Sequence, residues 1–134
     1  MIHGIGTDIV AVARLARSLD RFGDELAHRI LHPDEFPSFR SAAHPSRLLA
    51  KRFAAKEAAV KALGTGFTGG IRLADVAVDH HPGGQPRLVL RGEAAVRAGA
   101  FGVTAHHLSL SDEQDHAVAF VVMEVGNPLA GASA

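Results

Sequence analysis

Between Pro45 and Leu63 runs a segment, PSRLLAKRFAAKEAAVKAL, with no glycine, and no proline after its first residue. Ala, Leu, Lys, Arg and Glu are strong helix formers, Pro suits a first helical turn, and Gly64 stands where a helix end favours a left-handed residue. At 1.5 Å per residue such a helix is about 28 Å long.

The seam of this helix is broken once. Leu49, Phe53, Val60 and Leu63 recur at helical spacing, and the missing member of the series is Lys56. A cation stands where a core wants an apolar side chain. Glu57 follows it, and Lys61, four residues on, shares a face with Glu57. One reading is a Lys with a buried stem whose head snorkels to water, next to a surface Glu to Lys pair. The other makes Glu57 a working carboxylate.

Ahead of the helix, Ile2 to Asp8 is glycine-punctuated and reads as a strand ending near Thr7 or Asp8. Ile9 to Phe22 reads as an amphipathic helix with Val12, Leu15, Ala16, Leu19 and Phe22 on its buried face. Arg14, Arg17 and Arg21 form a stripe opposite, with no acid inside it. The stripe is either a solvated face or a dock for an acidic helix. Residues 24–31 read as a short helical turn, and Pro33 to Phe39 as a second one broken by Pro37.

Beyond the glycine-rich stretch Gly64 to Gly70, a strand is expected over Ile71 to Asp79 and a returning strand over Arg87 to Arg91. An Ala-rich helix over Glu93 to Phe101 and a hairpin of His106 to Ser111 with Ala117 to Val125 complete the chain. Without regular βαβ alternation the expected fold class is α+β: a mainly antiparallel sheet packed against a long helix and several short helices. Residues 1–125 read as one domain and 126–134 as a loose tail.

Composition excludes several classes. With 47% hydrophobic residues and no Cys, the chain is expected to form a core without disulfides. No apolar run approaches the ~20 residues of a membrane helix, and no secretory leader is recognisable, so a cytoplasmic setting without membrane attachment is expected. Formal net charge is zero, and there is neither Trp nor Tyr. A general nucleic-acid binder would show a basic excess and stacking aromatics. The neutrality hides an asymmetry, because most basic side chains lie before residue 62. That half is a candidate docking surface for an acidic partner.

Asp8, at the end of the first expected strand, and Glu57, in the helix seam, are the carboxylates best placed for chemistry. If they meet they form a hard oxygen site suited to Mg²⁺, which keeps several waters and takes further ligands from substrate phosphates. The glycine-rich loop could offer N–H groups to a phosphate, but it follows a helix C-terminus, whose partial negative charge repels anions. Lys61 and a bound cation would have to offset that; otherwise the loop is a helix cap and turn. His106 and His107 are strand neighbours, so they point to opposite faces and do not chelate together. His107 shares its face with Ser109 and Ser111, a strip suited to phosphate or carbonyl oxygens or simply to water.

Three blocks together resemble the short bacterial holo-(acyl carrier protein) synthases, a class of 4′-phosphopantetheinyl transferase. They are Gly4-Ile5-Gly6-Thr7-Asp8-Ile9, Arg52-Phe53-Ala54-Ala55-Lys56-Glu57-Ala58 with Lys61-Ala62, and Leu108-Ser109-Leu110-Ser111-Asp112. The resemblance implies Mg²⁺-dependent transfer of the phosphopantetheine arm of coenzyme A to a Ser hydroxyl of apo-acyl carrier protein, releasing adenosine 3′,5′-bisphosphate. It implies Asp8 and Glu57 as metal ligands, Lys61 on the coenzyme A phosphates, and the loop at Gly64 along that substrate. Asp8, Glu57 and Lys61 are then the catalytic set, and the Ser proton passes to a metal-associated water or to a carboxylate, of which Glu57 is the nearest. His107 and Ser109 become coenzyme A contacts, and a homotrimer with sites between subunits would let His107 serve a neighbour. Arg14, Arg17 and Arg21 then dock the acidic carrier. Many members carry His where this chain has Asp112, so a contact made by that His is not expected here. A Mg²⁺-dependent nucleotide pyrophosphatase and a non-catalytic module binding an acidic protein are the alternative readings.

Overall fold

The computed structural model describes residues 1–126; the tail expected over 126–134 lies, from 127 on, outside the described residues. The elements are β1 (Ile2–Ala11), α1 (Val12–Phe22), α2 (Asp24–Ile30), a 3-10 turn (Pro33–Glu35), α3 (Phe36–Ser41), α4 (Pro45–Leu63), a second 3-10 turn (Leu73–Asp75), β2 (Val76–His80), β3 (Pro86–Leu90), α5 (Gly92–Ala100), β4 (Val103–Asp112) and β5 (His116–Val125). The strands form a three-stranded sheet in the order β1-β5-β4 and a hairpin of β2 and β3. Every pairing is antiparallel. The fold is α+β, as the pattern of elements implies.

The long helix α4 is the spine. It ends at Gly64, whose φ of 85° is left-handed and whose N–H donates to the Val60 carbonyl at 3.0 Å. Its burial extends well beyond the large-residue seam: Ala50, Ala54, Ala55, Ala58 and Ala59 are fully buried beside Leu49, whereas Phe53 is only half-buried. Alanines on several sides of the helix let backbone come close. On one side the approach is as tight as covalent geometry permits. A Cβ added to Gly6 would fall inside the Ala58 carbonyl oxygen and 2.8 Å from the Ala62 amide nitrogen, and one added to Gly4 would collide with the Ala62 carbonyl. Glycine at both positions is what brings β1 against α4.

Lys56 does not snorkel. It is 0% exposed, and its Nζ donates to Glu35 Oε1 at 2.6 Å and to the Val76 carbonyl at 2.5 Å. A fully buried ammonium is tolerated only when paired and hydrogen-bonded, and both conditions are met.

Several boundaries differ from the sequence expectation. The first strand does not stop at Asp8 but runs to Ala11, because pairing with β5 continues through Ile9↔Val118, Val10↔Ala117 and Ala11↔His116; α1 therefore begins at Val12. Pro37 does not break a helix over 33–39. It sits in the first turn of α3, where a missing N–H costs nothing. The expected strand from Ile71 starts only at Val76, since Asp75 accepts the Arg72 N–H at 3.0 Å and closes a 3-10 turn there.

The three-stranded sheet has unlike faces. Gly4, Gly6, Asp8 and Val10 of β1 face α4, together with Ala117, Ala119, Val121 and Met123 of β5, all four buried. Ile5, Ile9, Val118 and Phe120 point the other way and remain 59, 64, 36 and 43% exposed. Among the described residues no helix is long and apolar enough to cross a membrane.

Candidate active site

Asp8 projects from the helix-facing side of β1, in the same alternation as Gly4 and Gly6. The close glycine packing therefore delivers it to α4. There it meets Lys61, whose Nζ donates to Asp8 Oδ1 at 3.1 Å and to the Thr7 carbonyl at 3.0 Å. Glu57 is one helical turn before Lys61 and half-buried. Its pKa is raised above the ordinary glutamate value, first by desolvation and then by the Asp8 carboxylate, with Lys61 and Arg14 opposing. A carboxylate whose ionised form is disfavoured beside a second carboxylate, with one ammonium at hand, makes a site suited to additional positive charge.

The residues fit a magnesium ion. Both donors are hard oxygens, and among the described residues no third His, Cys, Asp or Glu joins them to close a cage. Such a pair suits a cation that keeps its waters and completes its shell from substrate phosphates.

Arg14 belongs partly to this site. Its guanidinium lies 5.3 Å from the Phe53 ring centroid, on the α4 turn preceding Glu57, and it draws the Glu57 pKa down. Arg17 and Arg21 are exposed, Arg21 lying 5.1 Å from the Phe22 centroid. Among the described residues none of the three arginines forms an ion pair.

His107 and Ser109 are not brought to Asp8 and Glu57 within one chain. They lie on the outward face of the sheet, on edge strand β4, with Ser111. His107 Nε2 is 2.8 Å from Glu124 Oε2, and this hydrogen bond holds the Glu124 pKa below its usual value. A cavity of about 390 Å³ opens between β4 and the β2–β3 hairpin, lined by His81, Gln85, Arg87, His106, His107 and Ser109. Both histidines of the pair border it, although they point to opposite faces, because β4 ends the sheet. His81, Gln85 and Arg87 carry no sequence signal, since their place in the cavity depends on how the hairpin folds back.

Gly64 is exposed at the C-terminal end of α4, where the loop turns on N–H bonds from Thr65 and Gly66 to the Val60 carbonyl. Arg97 of α5 lies so near that a Cβ on Gly69 would be 2.6 Å from its Nη1. It brings a cation to the glycine-rich loop, one that the Ala-rich pattern of α5 does not reveal. Asp112, where the resembling family often has His, stands 4.0 Å from Lys51 Nζ.

The chain as a whole is similar to known proteins. Residues 4–121 match the family model described as the 4′-phosphopantetheinyl transferase superfamily. The chain is 56% identical over 126 residues to a holo-(acyl-carrier-protein) synthase of Halorhodospira halophila, with 94% of this chain and 100% of the relative covered. It superposes on the crystal structure of the holo-(acyl-carrier-protein) synthase of Neisseria meningitidis with a TM-score of 0.87 at 43% identity, over 92% of this chain and 99% of that one. A Helicobacter pylori holo-(acyl-carrier-protein) synthase solved in complex with coenzyme A matches with a TM-score of 0.78 at 30% identity, over 90% of this chain and 99% of that one. With likeness in sequence and in fold along nearly its whole length, the chain belongs to the 4′-phosphopantetheinyl transferase superfamily, among the short bacterial holo-(acyl-carrier-protein) synthases.

Proposed function

We propose that this chain transfers the 4′-phosphopantetheine group of coenzyme A to a Ser hydroxyl of an apo-acyl carrier protein, with Mg²⁺ held by Asp8 and Glu57. The single observation that carries this is the meeting of Asp8, Glu57 and Lys61 where β1 crosses α4. The Ser oxygen of the carrier forms a new bond to the phosphorus that bears pantetheine. The bridging P–O bond breaks, and adenosine 3′,5′-bisphosphate leaves. Mg²⁺ bound at the two carboxylates would offset charge on the pyrophosphate and on the departing bisphosphate. Lys61 turns from Asp8 to the phosphates, and the Ser proton passes to a metal-associated water or to a carboxylate, of which Glu57 is the nearest. The loop at Gly64 lies along coenzyme A, with Arg97 and Lys61 countering the helix C-terminus.

Residues 1–125 act as one domain in this reading, in the cytoplasm. Arg14, Arg17 and Arg21 receive the acidic carrier. Intact-protein mass spectrometry of an apo-carrier incubated with the enzyme, coenzyme A and Mg²⁺ is expected to show one phosphopantetheine added, and none with a chelator. Coenzyme A cleaved without transfer would point to a pyrophosphatase, and no reaction to a binding module. Arg17→Glu, clear of Glu57, is expected to raise KM for the carrier about tenfold with kcat nearly unchanged, because the lost and reversed charge acts on docking. A raised KM for coenzyme A alone would rule docking out.

We also propose that the active form is a homotrimer. The exposed apolar face of Ile5, Ile9, Val118 and Phe120 supports it, as does the placement of His107 and Ser109 on that outward side, where they could reach only a neighbour's site. Phe120→Lys is expected to shift light-scattering mass from trimer to monomer and to lower turnover at least tenfold. Unchanged mass would remove this face from the interface.

A further inference from the structure

Glu35 lies in the 3-10 turn before α3, 2% exposed, and does not touch Asp8 or Glu57. Its carboxylate is nevertheless a hub. Oε1 accepts from Lys56 Nζ at 2.6 Å and from the His32 N–H at 3.0 Å; Oε2 accepts from Arg52 Nη1 and from the Val78 N–H, each at 3.4 Å. The two cations also bind β2 directly, Lys56 at the Val76 carbonyl and Arg52 at the Val78 carbonyl, 2.5 and 2.6 Å away. Among the described residues no buried side-chain nitrogen or oxygen lacks a hydrogen-bond partner.

The spacing of these bonds is informative. Arg52 and Lys56 are four residues apart on a helix, a rise of about 6 Å, and their acceptors are two residues apart on a strand, about 6.6 Å. The steps nearly coincide, so both bonds form together in only one axial register and one rotation of α4. The opposite flank repeats the match: Gly4 and Gly6 of β1 seat against the carbonyls of Ala62 and Ala58. The helix is thus indexed on both sides. Glu57 follows Lys56 directly, about 100° further round, so any rotation that loosens the Lys56 anchor swings Glu57 relative to Asp8.

We propose that the buried Glu35, Arg52 and Lys56 network is a positioning device for the active site, fixing the rotation and register of α4 and thereby the separation of Glu57 from Asp8. This rests on the reading of those two carboxylates as a divalent-cation site. A purely structural role would require only that the volume be filled. Replacing a buried ionic cluster by apolar side chains of similar size often preserves or raises stability, which allows stability and positioning to be separated.

The test compares the full-length wild type with the triple variant Glu35→Leu/Arg52→Met/Lys56→Met, using Mn²⁺ alone as probe and electron paramagnetic resonance to count the free ion. The triple variant is expected to keep its thermal midpoint yet bind Mn²⁺ about tenfold more weakly, the scale on which supporting partners act on a metal site. A folded triple variant with wild-type Mn²⁺ affinity overturns the proposal. Should it fail to fold, Glu35→Gln, which keeps the shape of the hub, is read by the same measurement with the same two outcomes. An Asp8→Asn/Glu57→Gln control isolates the underlying reading: if it binds Mn²⁺ as the wild type does, the metal assignment fails. In that case the crystal structure of whichever network variant folds decides the positioning claim without metal. Glu57 displaced from Asp8 supports it, and an unmoved α4 overturns it.

Discussion

Glu57→Gln is expected to reduce phosphopantetheine transfer by about 10³-fold or more while making the metal-free protein more stable. The loss follows from removing one of two carboxylates that would hold the cation, since several kcal/mol of transition-state charge stabilisation go with it. The gain follows from the electrostatics of the empty site. Desolvation and Asp8 raise the Glu57 pKa above its ordinary 4.5, so the charged form is penalised in the fold. That penalty is fully present above the folded pKa and disappears as the pH falls below the ordinary value. At neutral pH the metal-free variant should therefore melt higher than wild type. The difference should shrink as the pH is lowered towards the ordinary glutamate value and vanish below it. Mg²⁺ should raise the melting point of the wild type but not of the variant. Thermal melts with and without metal, alongside the mass-spectrometric assay, read all three effects; a variant that melts lower without metal would show that Glu57 is a structural carboxylate and not a stored repulsion.

How far this site was legible from residues alone depends on the range over which each signal acts. The long helix carries its own evidence, because propensity, the first-turn Pro45 and the terminal Gly64 are local. Asp8, Glu57 and Lys61 could be named from their blocks, yet that they meet depends on Gly4 and Gly6, whose role appears only with the helix in place. The segment Ile9 to Val12 satisfies both a strand and a helix pattern, and pairing with β5 decides it. Lys56 resembles a snorkelling residue because its partner, Glu35, is 21 residues away and joins it only through tertiary folding. Much of the sheet inverts a usual assumption: the small residues Gly4, Gly6, Ala117 and Ala119 face inward beside Val10, Val121 and Met123, and the large Ile5, Ile9 and Phe120 face outward. Ranking residues by hydrophobic size would have placed the core on the wrong face. The helix needs backbone proximity more than side-chain volume on its side, leaving the bulk for the surface proposed to meet other subunits.

Gly6→Ala brings these threads to one position and is expected to be among the most damaging single changes in the chain. The added methyl has no free volume to enter, and its obstacle is the Ala58 carbonyl with the Ala62 amide close behind at 2.8 Å. A flexible side chain could rotate away; the backbone of a buried helix does so only by moving the helix. Overpacking commonly costs 1–3 kcal/mol, and a rigid backbone obstacle places this case at about 3 kcal/mol or above, a drop in melting temperature of roughly 10 °C. Gly64→Ala is the informative contrast. Its φ of 85° disfavours alanine, but among the described residues beyond its chain neighbours no atom lies within 4 Å of the new methyl, so only the conformational cost of about 1 kcal/mol remains. The kinetic consequences should separate even more widely. Displacing β1 from α4 moves Asp8 away from Glu57 and Lys61, and a misplacement near 1 Å can cost about 10²-fold in rate. Gly6→Ala that still folds at low temperature should accordingly lose about 10²-fold in kcat, with a raised Mg²⁺ requirement. Gly64→Ala, at the same temperature, should keep kcat and change chiefly KM for coenzyme A. Equal losses in the two variants would mean that the strand-to-helix approach does not set the spacing of the carboxylates.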